Sequence, residues 1–169
     1  LEPRSMLDVK VTNGTQQLFH ETALNDAVIT KGAIARVIQI GISCDGVDAT
    51  AFSGDGVIVC TATGSTAYSM SAGGPIMEPS AKNLLITPIC AHSLQHRPVV
   101  VPGNEKIRLA LQGDEESGVV VQVDGQTRCM LRPGEDVLIA RAEEKVRLVR
   151  LSPRRFFPLV REKLTEWSR

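Results

Sequence analysis

The sequence predicts an all-β domain, a β-sandwich-like fold of two packed sheets with mostly antiparallel strands and two short helical segments. Apolar and polar residues alternate along most of the chain, which is the period of a half-buried strand. Turn pairs such as Pro102-Gly103 and Pro133-Gly134 separate these segments at the spacing typical of sandwiches. Only two segments lack the two-residue period, so helices are additions to a β framework.

The chain opens with a predicted hairpin. Residues 7–11 and 17–19 are apolar strand cores, and Asn13-Gly14 between them is a turn signal. Residues 57–60 are apolar on both faces, which indicates a central strand. The remaining predicted strands are residues 27–29, 38–44, 84–90, 99–101, 107–111, 119–123, 137–140 and 146–151.

Two segments are predicted to be helical. Residues 65–72 hold small and hydroxylated residues after a tight loop, as a short helix would. In the tail, Phe156, Val160, Leu164 and Trp167 recur at three- and four-residue steps, which predicts an amphipathic helix. The chain is therefore divided into an all-β domain, residues 1–152, and a helical tail, residues 153–169.

Composition excludes several classes of function. Nineteen Lys and Arg residues balance nineteen Asp and Glu residues, so no general field attracts nucleic acid. No apolar run is long enough to cross a bilayer, and no signal peptide is evident. The four cysteines are scattered without a Cys-x-x-Cys pair, which favours core thiols in a reducing cytoplasm over a metal site. The start at Leu1 suggests a fragment.

Residues 53–75 carry the predicted chemistry, because a glycine-containing loop there joins a strand to a helix start. Gly64 allows a ligand to approach the main chain, and free N–H groups at the helix start form an anion site. Thr63 and Thr66 add hydroxyl groups suited to a pyrophosphate or ribose. Tyr68 offers an aromatic face to a base. The segment therefore predicts a nucleotide-binding site.

A purely structural interpretation of this segment stays open. Ser and Thr residues before a short helix are commonly N-caps, and Gly73-Gly74-Pro75 could simply end that helix. However, one loop collects four hydroxyl residues, a tyrosine, an upstream aspartate and a double glycine. That density exceeds what capping requires, so a ligand site is favoured.

The same residues resemble a known family. Residues 55–59, Asp-Gly-Val-Ile-Val, followed by residues 63–75 with their Gly-Ser-Thr-Ala-Tyr segment, resemble the signature of the NAD kinases. Residues 24–29 resemble that family's Asn-acidic motif, in which Asp26 stands where Glu is usual. Residues 156–164 resemble its C-terminal tail. The chain is thus similar to the C-terminal, NAD-binding domain of an NAD kinase (ATP/polyphosphate-NAD kinase).

The resemblance implies a reaction in which the γ-phosphoryl group of ATP, or polyphosphate in some members, passes to the adenosine ribose 2′-hydroxyl of NAD to give NADP. The family's catalytic base lies in a Gly-Gly-Asp-Gly motif of an N-terminal α/β domain, and this chain contains no such motif. No catalytic residue is therefore expected here, and the chain alone should be inactive. Mg²⁺ with ATP would be held mainly by the missing domain, against which the tail would pack.

The resemblance also implies which residues contact NAD. They are Asn25, Asp26, Arg36, Asp55, Thr63, Thr66, Ala67, Tyr68, Ser69, Met70, Ser71 and Gln126. Asn25 and Asp26 would lie near the ribose, and Asp55 near the nicotinamide. Plain structural interpretations remain open for Asp55 as a turn residue, Met70 as a core residue and Arg36 as a solvated strand end. A cytoplasmic homodimer or homotetramer is expected, in which a neighbouring subunit helps to build the NAD site.

Two alternatives stay open at this stage. A non-catalytic domain that senses NAD or mediates assembly would keep the pocket without the chemistry. A lipid kinase of the diacylglycerol or sphingosine type would share the two-domain plan but would need an apolar pocket. It would not explain Asn25-Asp26 together with the Gly-Ser-Thr-Ala-Tyr segment.

Overall fold

A computed structural model describes residues 1–32, 37–92, 97–112, 118–151 and 155–167. The strands in these ranges are β1 (Glu2–Asn13), β2 (Gln16–Ala23), β3 (Asp26–Lys31), β4 (Ile38–Cys44), β5 (Val47–Gly54), β6 (Gly56–Cys60), β7 (Leu84–Ile89), β8 (Val99–Val101), β9 (Ile107–Leu111), β10 (Val119–Val123), β11 (Gln126–Leu131) and β12 (Asp136–Leu148). The helical elements are a 3-10 turn (Gly64–Thr66), α1 (Tyr68–Ser71) and α2 (Phe156–Trp167).

The strands form two six-stranded sheets, which confirms the predicted fold class. The first sheet has the order β2-β1-β12-β9-β4-β5, and the second has the order β11-β10-β3-β6-β7-β8. Every strand pairing described in the two sheets is antiparallel. The inner faces of both sheets contribute to one large hydrophobic core, as the two-residue period requires.

The central position of β6 explains why its sequence is apolar on both faces. Val57 and Val59 belong to the core between the sheets, whereas Ile58 and Cys60 belong to a second buried cluster on the outer face. The chain that follows β6 covers this second cluster with partly buried apolar side chains, among them Met77. Burial on both faces therefore fixes the segment after β6 against the second sheet.

Three sequence predictions need correction. Residues 47–54 and 126–131 were not predicted as strands, but they form the edge strands β5 and β11, whose side chains are mostly exposed and so lack alternation. The predicted strands at 137–140 and 146–151 are one strand, β12, which ends at Leu148. Its register against β1 is irregular, since the pairs Ser5–Lys145 and Leu7–Arg141 leave two extra residues in β12.

The helical predictions are confirmed with adjusted limits. The segment predicted at 65–72 is divided into the 3-10 turn and α1, with Ala67 between them in a non-helical conformation. The tail forms α2, with Pro158 in its first turn, where proline is tolerated. No helix in the described ranges is long and apolar enough to span a membrane.

Candidate functional site

The candidate site lies at one end of the second sheet, where three chain segments meet. Antiparallel pairing places Asp26, the first residue of β3, opposite Cys60, the last residue of β6. On its other side β3 pairs with β10, so that Ala27 lies opposite Val123 and the β10–β11 turn lies beside Asp26. Sheet register therefore brings together residues that are up to about a hundred positions apart in sequence.

The β10–β11 turn holds the residues before β3 through one carboxylate. Asp124 accepts main-chain hydrogen bonds from Leu24 N (2.7 Å), Asn25 N (2.7 Å) and Asp26 N (3.2 Å). In return, Asp124 N donates to the carbonyl of Asp26 at 3.0 Å. Asp124 and Gly125 both have left-handed backbones, φ 47° and 77°, as an Asp-Gly hairpin turn requires.

The end of β6 holds the opposite side of Asn25. Thr61 N donates to the Asn25 carbonyl at 2.9 Å, and the buried Thr61 hydroxyl donates to Leu24 O at 2.7 Å. The same hydroxyl accepts from Gly64 N at 3.1 Å. A Cβ atom at Gly64 would lie 2.0 Å from the Asn25 carbonyl oxygen, so only glycine fits. Gly64 is therefore needed for packing against Asn25, whatever its role toward a ligand.

Residues 61–71, named here the hydroxyl loop, divide into inward and outward groups. Ser65 and Ser69 are fully buried: the Ser65 hydroxyl donates to Ala62 O at 2.7 Å and accepts from Met77 N at 2.9 Å, while the Ser69 and Thr87 hydroxyls are 2.8 Å apart. Any contact of Ser69 with a ligand would therefore use its main chain.

The outward group retains the capacity for ligand contacts. Thr66, Tyr68 and Ser71 are exposed, and Ala67 and Met70 are half-buried. Thr63 Oγ1 is buried and has no hydrogen-bond partner among the described residues. An unpaired buried hydroxyl is costly unless something binds it. The loop thus presents a polar atom that its own fold leaves unsatisfied.

A cavity of about 340 Å³ lies beside this outward group. Thr63, Thr66 and Met70 line it on the loop side, and Phe156 and Leu159 line it on the α2 side. Its lining is mainly apolar with a few polar groups, the usual composition of a small-molecule pocket. The apolar face of α2 therefore borders the outward side of the hydroxyl loop.

Asp26 is the electrostatic centre of the site. Its side chain is almost fully buried, and its carboxyl group makes no hydrogen bond within the described part of the chain. Burial, reinforced by the nearby negative charge of Asp124, raises the pKa of Asp26 to about 6. Burial also raises the pKa of the facing Cys60 thiol to about 12, so that thiol stays neutral. At neutral pH the site therefore contains an ionised carboxylate that has no hydrogen-bond partner among the described residues.

Asp55 lies apart from this group. It precedes Gly56 at the start of β6, whereas the hydroxyl loop follows Cys60, so five strand residues, roughly 16 Å, separate them. Lys31 Nζ is 2.7 Å from Asp55 Oδ1, and this bond holds the pKa of Asp55 below its usual range. Within one copy of the chain, Asp55 does not join the other candidate residues that the structure describes.

The other candidates have mixed outcomes. Gln126 is exposed at the start of β11, directly after the turn that holds Asn25, so it lies at the same end of the sheet. Arg36 lies outside the described residues. Sequence reasoning missed Asp124 and Thr61, whose side chains fix Asn25. The signal available for Asp124 is its Asp-Gly pair, which by itself indicates only a hairpin turn.

Comparisons with known proteins identify the family of the chain. The family model described as the ATP-NAD kinase C-terminal domain matches residues 24–151. The chain therefore belongs to the NAD kinase family and corresponds to its C-terminal domain.

Individual relatives support the assignment. The chain is 41% identical over 169 residues to an NAD kinase of Carboxydothermus hydrogenoformans, covering 100% of this chain and 60% of that protein. It is 45% identical over 166 residues to an NAD kinase of Moorella thermoacetica, covering 98% and 53%. The chain thus spans a little over half the length of these curated relatives.

Two solved structures have the same fold. Yeast NADH kinase complexed with NADH matches with a TM-score of 0.78 and 30% identity, covering 85% of this chain and 42% of that one. An NAD kinase from Archaeoglobus fulgidus in complex with ATP matches with a TM-score of 0.68 and 28% identity, covering 85% and 53%.

The unpaired Asp26 carboxylate predicts a pH-dependent cost to stability. Because the folded pKa of about 6 exceeds the ordinary 3.8, the folded chain keeps a proton that the unfolded chain has lost between these values. Stability should therefore fall as pH rises through this window. As the pH rises from about 4 to about 8, the free energy of unfolding of the unchanged chain should fall by about 2–3 kcal/mol relative to that of Asp26→Asn. Urea unfolding at each pH measures this difference.

The matched control is Asp48→Asn, at an exposed aspartate of the first sheet. It should leave the pH dependence unchanged. A difference between Asp26→Asn and the unchanged chain that stays constant with pH would contradict the presence of an unpaired buried carboxylate.

Proposed function

We propose that this chain binds NAD and that the whole protein transfers the γ-phosphoryl group of ATP to the adenosine ribose 2′-hydroxyl, producing NADP. The observation that carries the proposal is the unpaired Asp26 carboxylate, buried beside Asn25 and next to the hydroxyl loop. The complexes of the two structural relatives, one with NADH and one with ATP, support the same pair of ligands.

Each part of the site fits one part of the dinucleotide. The Asp26 carboxylate can accept hydrogen bonds from ribose hydroxyls, and the Asn25 amide can both donate and accept. The unpaired Thr63 hydroxyl and the exposed Thr66 hydroxyl can bind phosphate or ribose oxygens. Tyr68, 45% exposed, offers a ring face to a base. The site would therefore hold the acceptor and orient its 2′-hydroxyl.

The catalytic contribution of this chain would be positioning. Phosphoryl transfer depends mainly on alignment and on electrostatic stabilisation, and a fixed acceptor hydroxyl removes much of the entropic cost. No Gly-Gly-Asp-Gly motif occurs in the chain, so a base of that type would come from elsewhere in the whole protein. The chain alone should bind NAD without forming NADP.

The described residues offer no set of donor groups that fits a metal ion. No group of three His, Cys, Asp or Glu side chains in the described ranges could hold one. The Asp124 carboxylate is already occupied by main-chain N–H groups. Mg²⁺ would therefore enter the site bound to the ATP phosphates.

Asp55 can contribute to an NAD site only through a second copy of the chain. It lies at the far end of β6 from the hydroxyl loop, and its carboxylate is partly exposed and paired with Lys31. A cytoplasmic homodimer or homotetramer would place the Asp55 of one subunit beside the hydroxyl loop of another, since closed symmetric oligomers repeat the same contact.

The function is tested on the protein expressed from its full natural reading frame. With NAD, ATP and Mg²⁺, NADP formation is followed with an NADP-specific dehydrogenase. Asp26→Ala and Tyr68→Ala should each lower kcat/KM for NAD by about 10- to 100-fold, because each removes a contact to the acceptor. Asp48→Ala and Leu18→Ala, at exposed positions of the first sheet, should retain activity.

The outcomes separate the proposed enzyme from the alternatives. NAD binding without any NADP formation would favour a sensor or assembly domain. If the protein neither binds NAD nor forms NADP, the proposal is overturned.

The shared site is tested by co-expressing two variants that are each impaired at a different residue. Co-expressed Asp26→Ala and Asp55→Ala subunits should form hybrid oligomers in which one site combines the intact Asp26 with the partner's intact Asp55. Activity should then recover to about a quarter of the wild-type value for a randomly assorted dimer. Mixing after purification, without subunit exchange, is the control. No recovery in hybrid oligomers would show that Asp55 does not act across subunits.

A further inference from the structure

The chain contains two Asp-Gly hairpin turns that have the same local geometry but different surroundings. Asp45 and Asp124 both have φ 47°, and both carboxylates accept main-chain N–H groups. Asp45 accepts one, from Lys106 at 2.9 Å, in the first sheet. Asp124 accepts three successive N–H groups, all from the segment that enters β3. A turn needs no such array, so Asp124 does more than close a hairpin.

The three hydrogen bonds to Asp124 hold residues 24–26 on the side of the β10–β11 turn, where no other described side chain holds them. Across the segment, Asn25 O is bonded to Thr61 N, and the Asn25 main chain touches Gly64. Asp124 and the end of β6 therefore hold residues 24–26 from opposite sides, with the hydroxyl loop on the β6 side. Hydrogen bonds to an ionised acceptor are about twice as strong as neutral ones. They therefore suit a contact that must keep its geometry when a ligand binds.

The same carboxylate sets the charge environment of Asp26. Among the residues that the structure describes, two titratable groups face the Asp26 side chain: Asp124 from the β10–β11 turn and the Cys60 thiol from β6. The thiol stays neutral, so Asp124 supplies the negative charge that adds to burial in raising the pKa of Asp26. Asp124 thus contributes both to the position of the Asn25-Asp26 main chain and, after burial, to the raised pKa of Asp26.

We propose that Asp124 is a positioning residue for NAD recognition, which holds the Asn25-Asp26 main chain against the hydroxyl loop. It acts through its neighbours and makes no contact with the reacting atoms. This inference rests on the proposed function, since it assigns a role within the NAD site.

The test is Asp124→Asn in the full natural protein. Asn tolerates a left-handed backbone and keeps one carbonyl acceptor, but it removes the negative charge. NAD binding measured by calorimetry should weaken about 10-fold, because bonds to a charged acceptor are lost. The acid limb of the pH profile of kcat/KM for NAD should move to lower pH, because Asp26 then ionises more easily.

The matched control is Asp45→Asn, which has the same turn dipeptide and the same φ but lies in the other sheet. It should change neither NAD binding nor the acid limb. If Asp124→Asn lowers only the thermal midpoint, with unchanged NAD affinity and an unmoved acid limb, the role is structural and the inference is overturned. If Asp124→Asn does not fold, Asp124→Ser is compared with Asp45→Ser by the same criteria.

Failure of the inference and failure of the proposed function have different signatures. A wild-type protein that binds no NAD overturns the proposed function and the role of Asp124 with it. A wild-type protein that binds NAD, beside an Asp124→Asn variant with the same affinity and pH profile, overturns the role of Asp124 alone.

Discussion

The main chain of Asn25 is held between the Asp124 carboxylate on one side and the end of β6 on the other, and the candidate site depends on this contact. The bonds from Thr61 and the close approach of Gly64 join the hydroxyl loop directly to the residue before Asp26. Without Asp124, the segment entering β3 would be held from one side only. The sheet register supplies the rest, because it brings β3, β6 and the β10–β11 turn to the same end of one sheet.

The same arrangement costs stability in the folded chain. The Asp26 carboxylate is largely buried, has no hydrogen-bond partner among the described residues and lies near a second carboxylate, and burial with this second charge raises its pKa to about 6. The unpaired Thr63 hydroxyl adds a smaller cost of the same kind. A ligand hydroxyl could donate to the Asp26 carboxylate, and a ligand oxygen could accept a hydrogen bond from the Thr63 hydroxyl. Proteins commonly accept such strain where function needs it.

The fold was largely predictable because its core strands alternate, and the double-sided burial of β6 was visible as an uninterrupted apolar run. The edge strands β5 and β11 were missed because exposed edges carry no such pattern. The hydroxyl loop was predictable from its composition. Burial of Ser69 and the distance of Asp55 were not, because both depend on how the loop and β6 are placed by long-range pairing. For the same reason Asp124, about a hundred residues from Asn25, gave no local signal beyond a turn.

The most direct test of the account is to titrate NAD into the isotope-labelled chain and map the backbone amide shifts by NMR. The largest shifts are expected at Asn25, Asp26, the outward residues of the hydroxyl loop and Gln126. Val47, exposed in the first sheet, should be unaffected. Binding of NAD with shifts confined to the first sheet, or no binding by the correctly folded chain, would contradict the central claim that this end of the second sheet is the NAD site.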